Sequence, residues 1–250
     1  MKRLDILWSG IFGVMLWQMI VWITDAPHFI LPSPLRVLFA GYDSRALIGE
    51  HAIVTATEVF IGLAIGVVLG VLTAIGLAVS PMARRLFLPI LVFTQAVPVF
   101  ALAPILTLWL GYGIGGKIVM TVLIIYFPIT SSFYDGLTRV ESGLLDLAQT
   151  MGATKTQIMR RIRIPSALPS LGSGLRLAAV YAPIGAVIGE WVGSSKGLGY
   201  LMLLANGRAK TDLMFASLIV LAIFAVSLHA LVGKIADRLD DYSRPSNTDL

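Results

Sequence analysis

The chain has no cysteine, and charge is scarce: Asp, Glu, Lys and Arg together make up only 13% of residues. The first absence excludes disulfides, thiolate metal sites and a cysteine nucleophile. The second excludes an ordinary soluble domain, in which about a quarter of residues are charged. Histidine is nearly missing too. His28, His51 and His229 lie far apart without metal-ligand spacing, and each reads as an interfacial or packing residue. No serine is paired with a base, and no two carboxylates stand at a readable interval, so an intramembrane enzyme has no candidate site. What remains is apolar: 57% of the 250 residues are hydrophobic and the mean hydropathy is +0.85, the composition of a membrane protein.

About 20 helical residues cross the hydrocarbon core, and six runs are long enough, at roughly 6–23, 52–79, 86–110, 114–133, 171–192 and 213–232. They predict one all-α integral membrane domain over 1–250. The net charge of +5 does not point to nucleic acid, because the basic residues are distributed as topology markers. With a cytoplasmic N-terminus, thirteen lie in inside segments, including Lys2, Arg3 and Arg244. Six lie outside: Arg36, Arg45, Lys117, Lys196, Arg208 and Lys210. That bias puts both termini inside. The apolar start after Lys2 and Arg3 has no small-x-small cleavage site, so it reads as a retained first helix, and the polar tail after Gly233 reads as carrying no domain.

Pro27, Pro32 and Pro34 interrupt any helix after the first run, and that stretch is expected along the outer surface. The second run exceeds what a span needs and should tilt or project. Its Gly62, Gly66 and Gly70 recur every fourth residue, which lets a neighbouring helix come close. The third run carries Pro89, Pro98 and Pro104, each of which removes a backbone donor. Irregular backbone at membrane depth survives only where it is buried in protein or lines a wet cavity, so this run is the pathway candidate. Gln95 within it either faces that pathway or bonds to a neighbouring helix. Tyr181, Pro183 and Glu190 lie in the fifth run. Glu190, and Glu58 in the second run, each face a cavity or partner, or else sit at the interface as an anchor beside residues such as Trp191. Gly111, Gly116 and Lys117 spell G-x-x-x-x-G-K, but Ile118 stands where a P-loop needs Ser or Thr and no α/β context surrounds it, so the match is rejected.

The long polar island is Asp146 to Pro165, DLAQTMGATKTQIMRRIRIP. Leu144, Leu147, Ala148 and Met151 share one helical face before Gly152 ends it. Thr154 and Gln157 form a T-x-x-Q capping box for a second short helix, with Ile158 and Ile162 on one face and Pro165 at its expected end. Lys155, Arg160, Arg161 and Arg163 decorate the other side. The knuckle so formed either docks another protein or holds near anionic headgroups.

This island resembles the "EAA" signature of ABC importer permeases, E-A-A-x-x-x-G followed by I-x-L-P. Asp146, Leu147, Ala148 and Gly152 stand in its first part, and Ile162, Ile164 and Pro165 in its second. Asp replaces Glu, Leu replaces the first Ala, and Ile replaces Leu. VPVFALAPILTLWLGYGIGGK, with Pro98, resembles the third-helix pattern of the nitrate, sulphonate and taurine group, and Gly174, Leu175 and Arg176 match its G-L-R. Arg176 is expected to reach water or headgroups. The stretch from Tyr181 to Ala216 looks like that of hydroxymethylpyrimidine permeases, and the resemblance runs from about Pro32 to Leu239.

The resemblance implies a type I importer permease of the bacterial inner membrane, with the island as coupling helix. It implies as partners a cytoplasmic ATPase dimer, a second permease copy and a periplasmic or lipid-anchored binding protein, with ATP and Mg held by the ATPase and no cofactor on this chain. The implied solute is hydroxymethylpyrimidine or a related thiamin precursor, with taurine, sulphonate or nitrate as alternatives. The acidic Glu190, where sulphonate-type members more often have a basic residue, weighs against an anion. An ion-coupled secondary transporter using Glu58 and Glu190 would need inverted repeats, and none is visible.

Overall fold

The computed structural model describes residues 3–243. Lys2 and Arg244 lie outside the described residues, as does the side chain of Arg3. Every regular element among them is helical. In chain order, α1 is Arg3–Thr24, α2 Pro34–Asp43, α3 Arg45–Val79, α4 Pro81–Ala96, α5 Val99–Leu110 and α6 Ile114–Thr138. The helices α7 Ser142–Thr150 and α8 Lys155–Ile158 follow, then a π-helical turn Met159–Arg163, and finally α9 Ile164–Gly193, α10 Leu198–Gly207 and α11 Thr211–Ser243.

Four stretches are long and apolar enough to cross a membrane: Arg45–Val79, Ile114–Thr138, Lys155–Gly193 and Thr211–Tyr242. The first expected run is α1, whose described apolar part is Trp8–Thr24. The third is not one straight span. It is the pair α4 and α5, bent by 100°. The break falls at Val97 and Pro98, where Pro98 adopts extended backbone and has no N–H to continue the ladder. Pro89 and Pro104 are carried inside their helices. At the start of α4 the Ser80 hydroxyl accepts from the Ala83 N–H at 3.2 Å with Pro81 in the first turn, which fixes where the re-entry begins.

At 35 residues and 1.5 Å each, α3 is about 52 Å long, well beyond the hydrocarbon thickness of about 30 Å. Its glycines set the packing. A β-carbon at Gly62, Gly66 or Gly70 would lie 2.6, 2.7 or 2.8 Å from Thr121, Ile125 or Ile129, so α3 and α6 run in matched four-residue steps at backbone-contact distance. From the other side, Gly185 lies against the Thr121 backbone and Gly189 against Lys117, which brings α9 equally close to α6. Here α6 is the central rod. Around it Val59, Ile125, Ile129, Ala178, Ala182 and Leu228 form the main buried core. A second cluster, Val37, Ile48, Leu198, Leu201 and Ala216, joins α2, α3, α10 and α11. A third, Ala74, Phe133, Leu137 and Ala167, sits at the end of the bundle that carries α7 and α8.

Two expectations need correction. Pro165 does not end a helix: the chain runs through the π turn directly into α9, with Pro165 in the first turn of that helix. The wide turn just before the proline lets the helical path continue past a residue that offers no N–H and whose ring crowds the preceding turn. Arg176 does not rely on headgroups. Its Nη2 meets Asp237 Oδ1 at 2.7 Å and Asp240 Oδ2 at 3.1 Å, tying α9 to the end of α11.

Because α6 leaves no room for a side chain opposite Gly66, Gly66→Val is expected to lower the thermal unfolding midpoint of the purified chain. Overpacking of this kind costs about 1–3 kcal/mol. Thermal unfolding in detergent checks it, with Gly76→Val as the control, since Gly76 is exposed on the outside of the bundle and its β-carbon would meet nothing within 4 Å.

Candidate functional site

One face of α3 carries His51, Thr55, Glu58, Gly62, Gly66 and Gly70 in a single helical stripe, all buried. The glycine half grips α6; the polar half meets the start of α10. A helix start leaves backbone N–H groups without partners, and inside a bundle such groups are costly. Three consecutive ones are answered here by side chains. The Gly197 N–H donates to His51 Nδ1 at 2.9 Å, the Leu198 N–H to Thr55 Oγ1 at 2.8 Å, and the Gly199 N–H to Glu190 Oε2 at 2.5 Å. The Thr55 hydroxyl in turn donates to Glu190 Oε1 at 2.6 Å. The Glu190 carboxylate thus sits at the positive end of α10. Gly197 is required at this point: its φ of +115° suits glycine, and any β-carbon would collide with the Glu190 carboxyl.

Glu58 lies one turn deeper, fully buried, and faces Lys117 on α6, with Nζ and Oε1 3.1 Å apart. Neither Glu58 oxygen has an aligned hydrogen-bond donor, so charge rather than a directed bond holds the pair. Glu58 and Glu190 are themselves neighbours in this cluster. Of the two readings given to these carboxylates, the interfacial anchor is therefore wrong in place: both point at partners inside the bundle, while Trp191 is the exposed neighbour. Lys117 corrects the sequence reading further. It had been counted as an outside loop cation, but α6 begins at Ile114 and carries it into the bundle at 7% exposure. The i, i+4, i+7 spacing of His51, Thr55 and Glu58, continued by the glycines, was the signal available for the stripe; nothing in the sequence singled out Lys117 as their partner. Outside the cluster, Lys196 pairs with Glu50 at 2.6 Å.

The island from Asp146 forms a compact knuckle. α7 ends in a Schellman motif: the Gly152 N–H donates to the Gln149 carbonyl and the Ala153 N–H to the Ala148 carbonyl, both at 2.9 Å, with Gly152 at φ +79°. The capping box of α8 is complete, the Thr154 N–H donating to Gln157 Oε1 at 2.7 Å and the Gln157 N–H to Thr154 Oγ1 at 3.3 Å. Ala148 and Ile158 face inward. Asp146, Leu144, Leu147 and Met151 are exposed, Met151 at 79%, which leaves an apolar ridge on α7 without a cover. Ile162, Ile164 and Pro165 are half-buried where the knuckle joins the bundle.

Beside the α4–α5 break, Gln95 and Tyr181 come together. They line a cavity of about 250 Å³ with Thr94, Val97, Val99, Leu123, Ile124 and Pro128. Pro98 adjoins it at the bend itself, exposed. The two acidic candidates do not reach this cavity; Glu58 and Glu190 belong to the cluster around α10.

A bundle that crosses a membrane, carries a broken helix beside a cavity lined in part by Thr94, Gln95 and Tyr181, and projects an uncovered knuckle has the build of a transport permease. The family described as "Binding-protein-dependent transport system inner membrane component" matches residues 66–244, and the chain belongs to it as an ABC importer permease subunit. Across 90% of its length it is 48% identical to a "Probable ABC transporter permease protein" of Haemophilus influenzae, of which it covers 92%. It is 38% identical over 88% of its length to the formylaminopyrimidine transport permease protein ThiX of Halalkalibacterium halodurans, covering 90% of that protein. Its fold matches a chain of the MetNI methionine ABC transporter in an inward-facing conformation, with a TM-score of 0.68 at 22% identity over 79% of this chain and 98% of that one.

Removing one member of the buried ion pair strands the other. Lys117→Met is expected to destabilise the chain by about 3–5 kcal/mol. The double variant Glu58→Met with Lys117→Met should regain most of that loss, and chemical unfolding of both in detergent checks the pair.

Proposed function

We propose that this chain is the permease of an inner-membrane importer for a thiamin-precursor pyrimidine, working as two copies with a separate ATPase pair and a solute-binding protein. ATP and Mg are held by the ATPase. The observation that carries the solute is the lining of the cavity at the helix break. Gln95 offers an amide, Thr94 a hydroxyl and Tyr181 a ring with a phenol, and no lining residue is charged. Such a surface suits a small neutral heteroaromatic ring, which needs hydrogen bonds at its nitrogens and an apolar or aromatic wall for its faces. It gives a sulphonate no cation to meet. The similarity to a formylaminopyrimidine permease supports the same solute class.

The second copy would cover the apolar face next to this cavity. Phe93, Phe100, Tyr181 and Ile184 stand exposed there on α4, α5 and α9, an apolar face open to a second copy. The ATPase would take the ridge of Leu144, Leu147 and Met151, with both chain termini and the knuckle on the cytoplasmic side. Closure of the ATPase pair then moves the knuckle, and through the π turn it moves α9, which carries Tyr181 on one side of the cavity. The permease makes no covalent bond; it is a two-state element biased by its ATPase.

The test is ATP hydrolysis by proteoliposomes containing the chain, its ATPase and its binding protein. Hydroxymethylpyrimidine is expected to stimulate hydrolysis and taurine not to. Stimulation by taurine alone would discard the solute and keep the machine. Gln95→Leu should weaken the response to the pyrimidine by roughly tenfold, the loss of about one buried hydrogen bond. Gly152→Leu, strained at its left-handed φ, should insert normally in the membrane yet leave hydrolysis unresponsive to solute.

A further inference from the structure

A second cavity lies away from Gln95 and Tyr181. It has a volume of about 520 Å³ and lies where the end of α3 meets the knuckle. Its floor is apolar, with Ile75, Ala78 and Val79 from α3 and Ile158, Met159 and Ile164 from the knuckle and the root of α9. Its rim is basic: Lys155, Arg160 and Arg163 all line it, and none of the three has a carboxylate partner among the described residues. The two faces of α7 are divided between different surroundings. Leu144, Leu147 and Met151 point outward, whereas Leu145 and Gln149 line the cavity. A partner seated on the outward ridge would therefore leave the cavity to something else. The cavity opens where a membrane-crossing helix passes out of its apolar length, since α3 ends at Val79 and Ser80 starts the next element.

We propose that this cavity is a binding site for an anionic phospholipid, with an acyl chain on the apolar floor and the phosphate between Arg160, Arg163 and Lys155. Both halves of the ligand are needed to match the site. A free anion leaves the floor uncovered, and a neutral lipid leaves three cations without a counter-charge. Because Met159 to Arg163 is also the π turn that joins knuckle to α9, a lipid held there braces the joint through which docking movements reach the bundle. The consequence rests on the importer reading; the binding itself does not.

The binding measurements use the full-length chain in detergent, without ATPase or solute, so that they stand apart from the importer reading, and ATPase is added only in a final competition. Native mass spectrometry with phosphatidylglycerol and phosphatidylcholine is expected to show preferential retention of phosphatidylglycerol. The double variant R160Q/R163Q should weaken that retention about thirtyfold, each cation near a surface being worth about 1 kcal/mol toward an anionic lipid. Ala78→Phe and Ile75→Trp, which fill the floor and keep every cation, should also abolish the preference, with unchanged unfolding midpoints showing that the fold survives. Retention of phosphatidylglycerol by both floor variants would reduce the site to surface charge and overturn the proposal, as would equal retention of the two lipids by the wild-type chain. Displacement by millimolar inorganic phosphate would assign the cations to a free anion and overturn it as well. The chain has no cysteine, so A78C gives a single reporter. Protection of that thiol by added ATPase in lipid-free detergent would hand the cavity to the ATPase, again against the proposal.

Discussion

The structure depends on how close α3 and α9 come to α6. Apolar side chains gain little by packing on one another when lipid is the alternative, so helices in a membrane associate best where their backbones can touch. Gly62, Gly66 and Gly70 on one side, and Gly185 and Gly189 on the other, remove the side chains that would hold α6 away. Everything else is arranged on this three-helix plate. The bent pair of α4 and α5 leans on it, with Thr107 against Gly193, and the knuckle hangs from the end where Ala74, Phe133 and Ala167 meet.

Close backbones also explain where charge is tolerated. Thin packing brings Lys117 within reach of Glu58, and it brings the end of α9 near enough to α3 for the Thr55 hydroxyl to donate to Glu190. The polar cluster is the fastening of α10, a short helix whose three leading N–H groups would otherwise face a dry interior. The cavity lined by Gln95 and Tyr181 lies elsewhere, at a bend made by a missing donor rather than by charge. The polarity that fastens α10 and the polarity that lines the cavity at the bend occupy different regions of the same bundle.

Much of this was legible in the sequence because it is local. Gly152 and the Thr154–Gln157 pair describe their own turn and cap, and the structure has both. The prolines of the third run announced broken backbone, and Pro98 is where the break falls. The four-residue glycine repeat announced a close neighbour without saying which. The parts that sequence reading missed are relations between distant segments. Lys117 looks like any loop cation until α6 is known to start three residues earlier, and the fate of Glu190 depends on a loop and a helix that follow it. α10 itself gave no warning, since Leu198–Gly207 is too short to count as a span. The continuation past Pro165 was hidden for a different reason: a rule about proline in α-helices does not cover a turn that is already wide.

That wide turn fixes more than continuity. A π turn holds one residue beyond what an α-helix of the same rise needs. Losing a residue between Met159 and Arg163 would close it to an ordinary turn and leave all that precedes it near its present azimuth about the α9 axis, whereas the same loss within the α-helix that follows would rotate it by about 100°. In the second case the ridge of Leu144, Leu147 and Met151 would face another azimuth, with every one of its own contacts intact. The compass bearing of that ridge is thus written in the residue count of α9, and the five positions of the wide turn are slack in which a lost residue leaves the bearing in place.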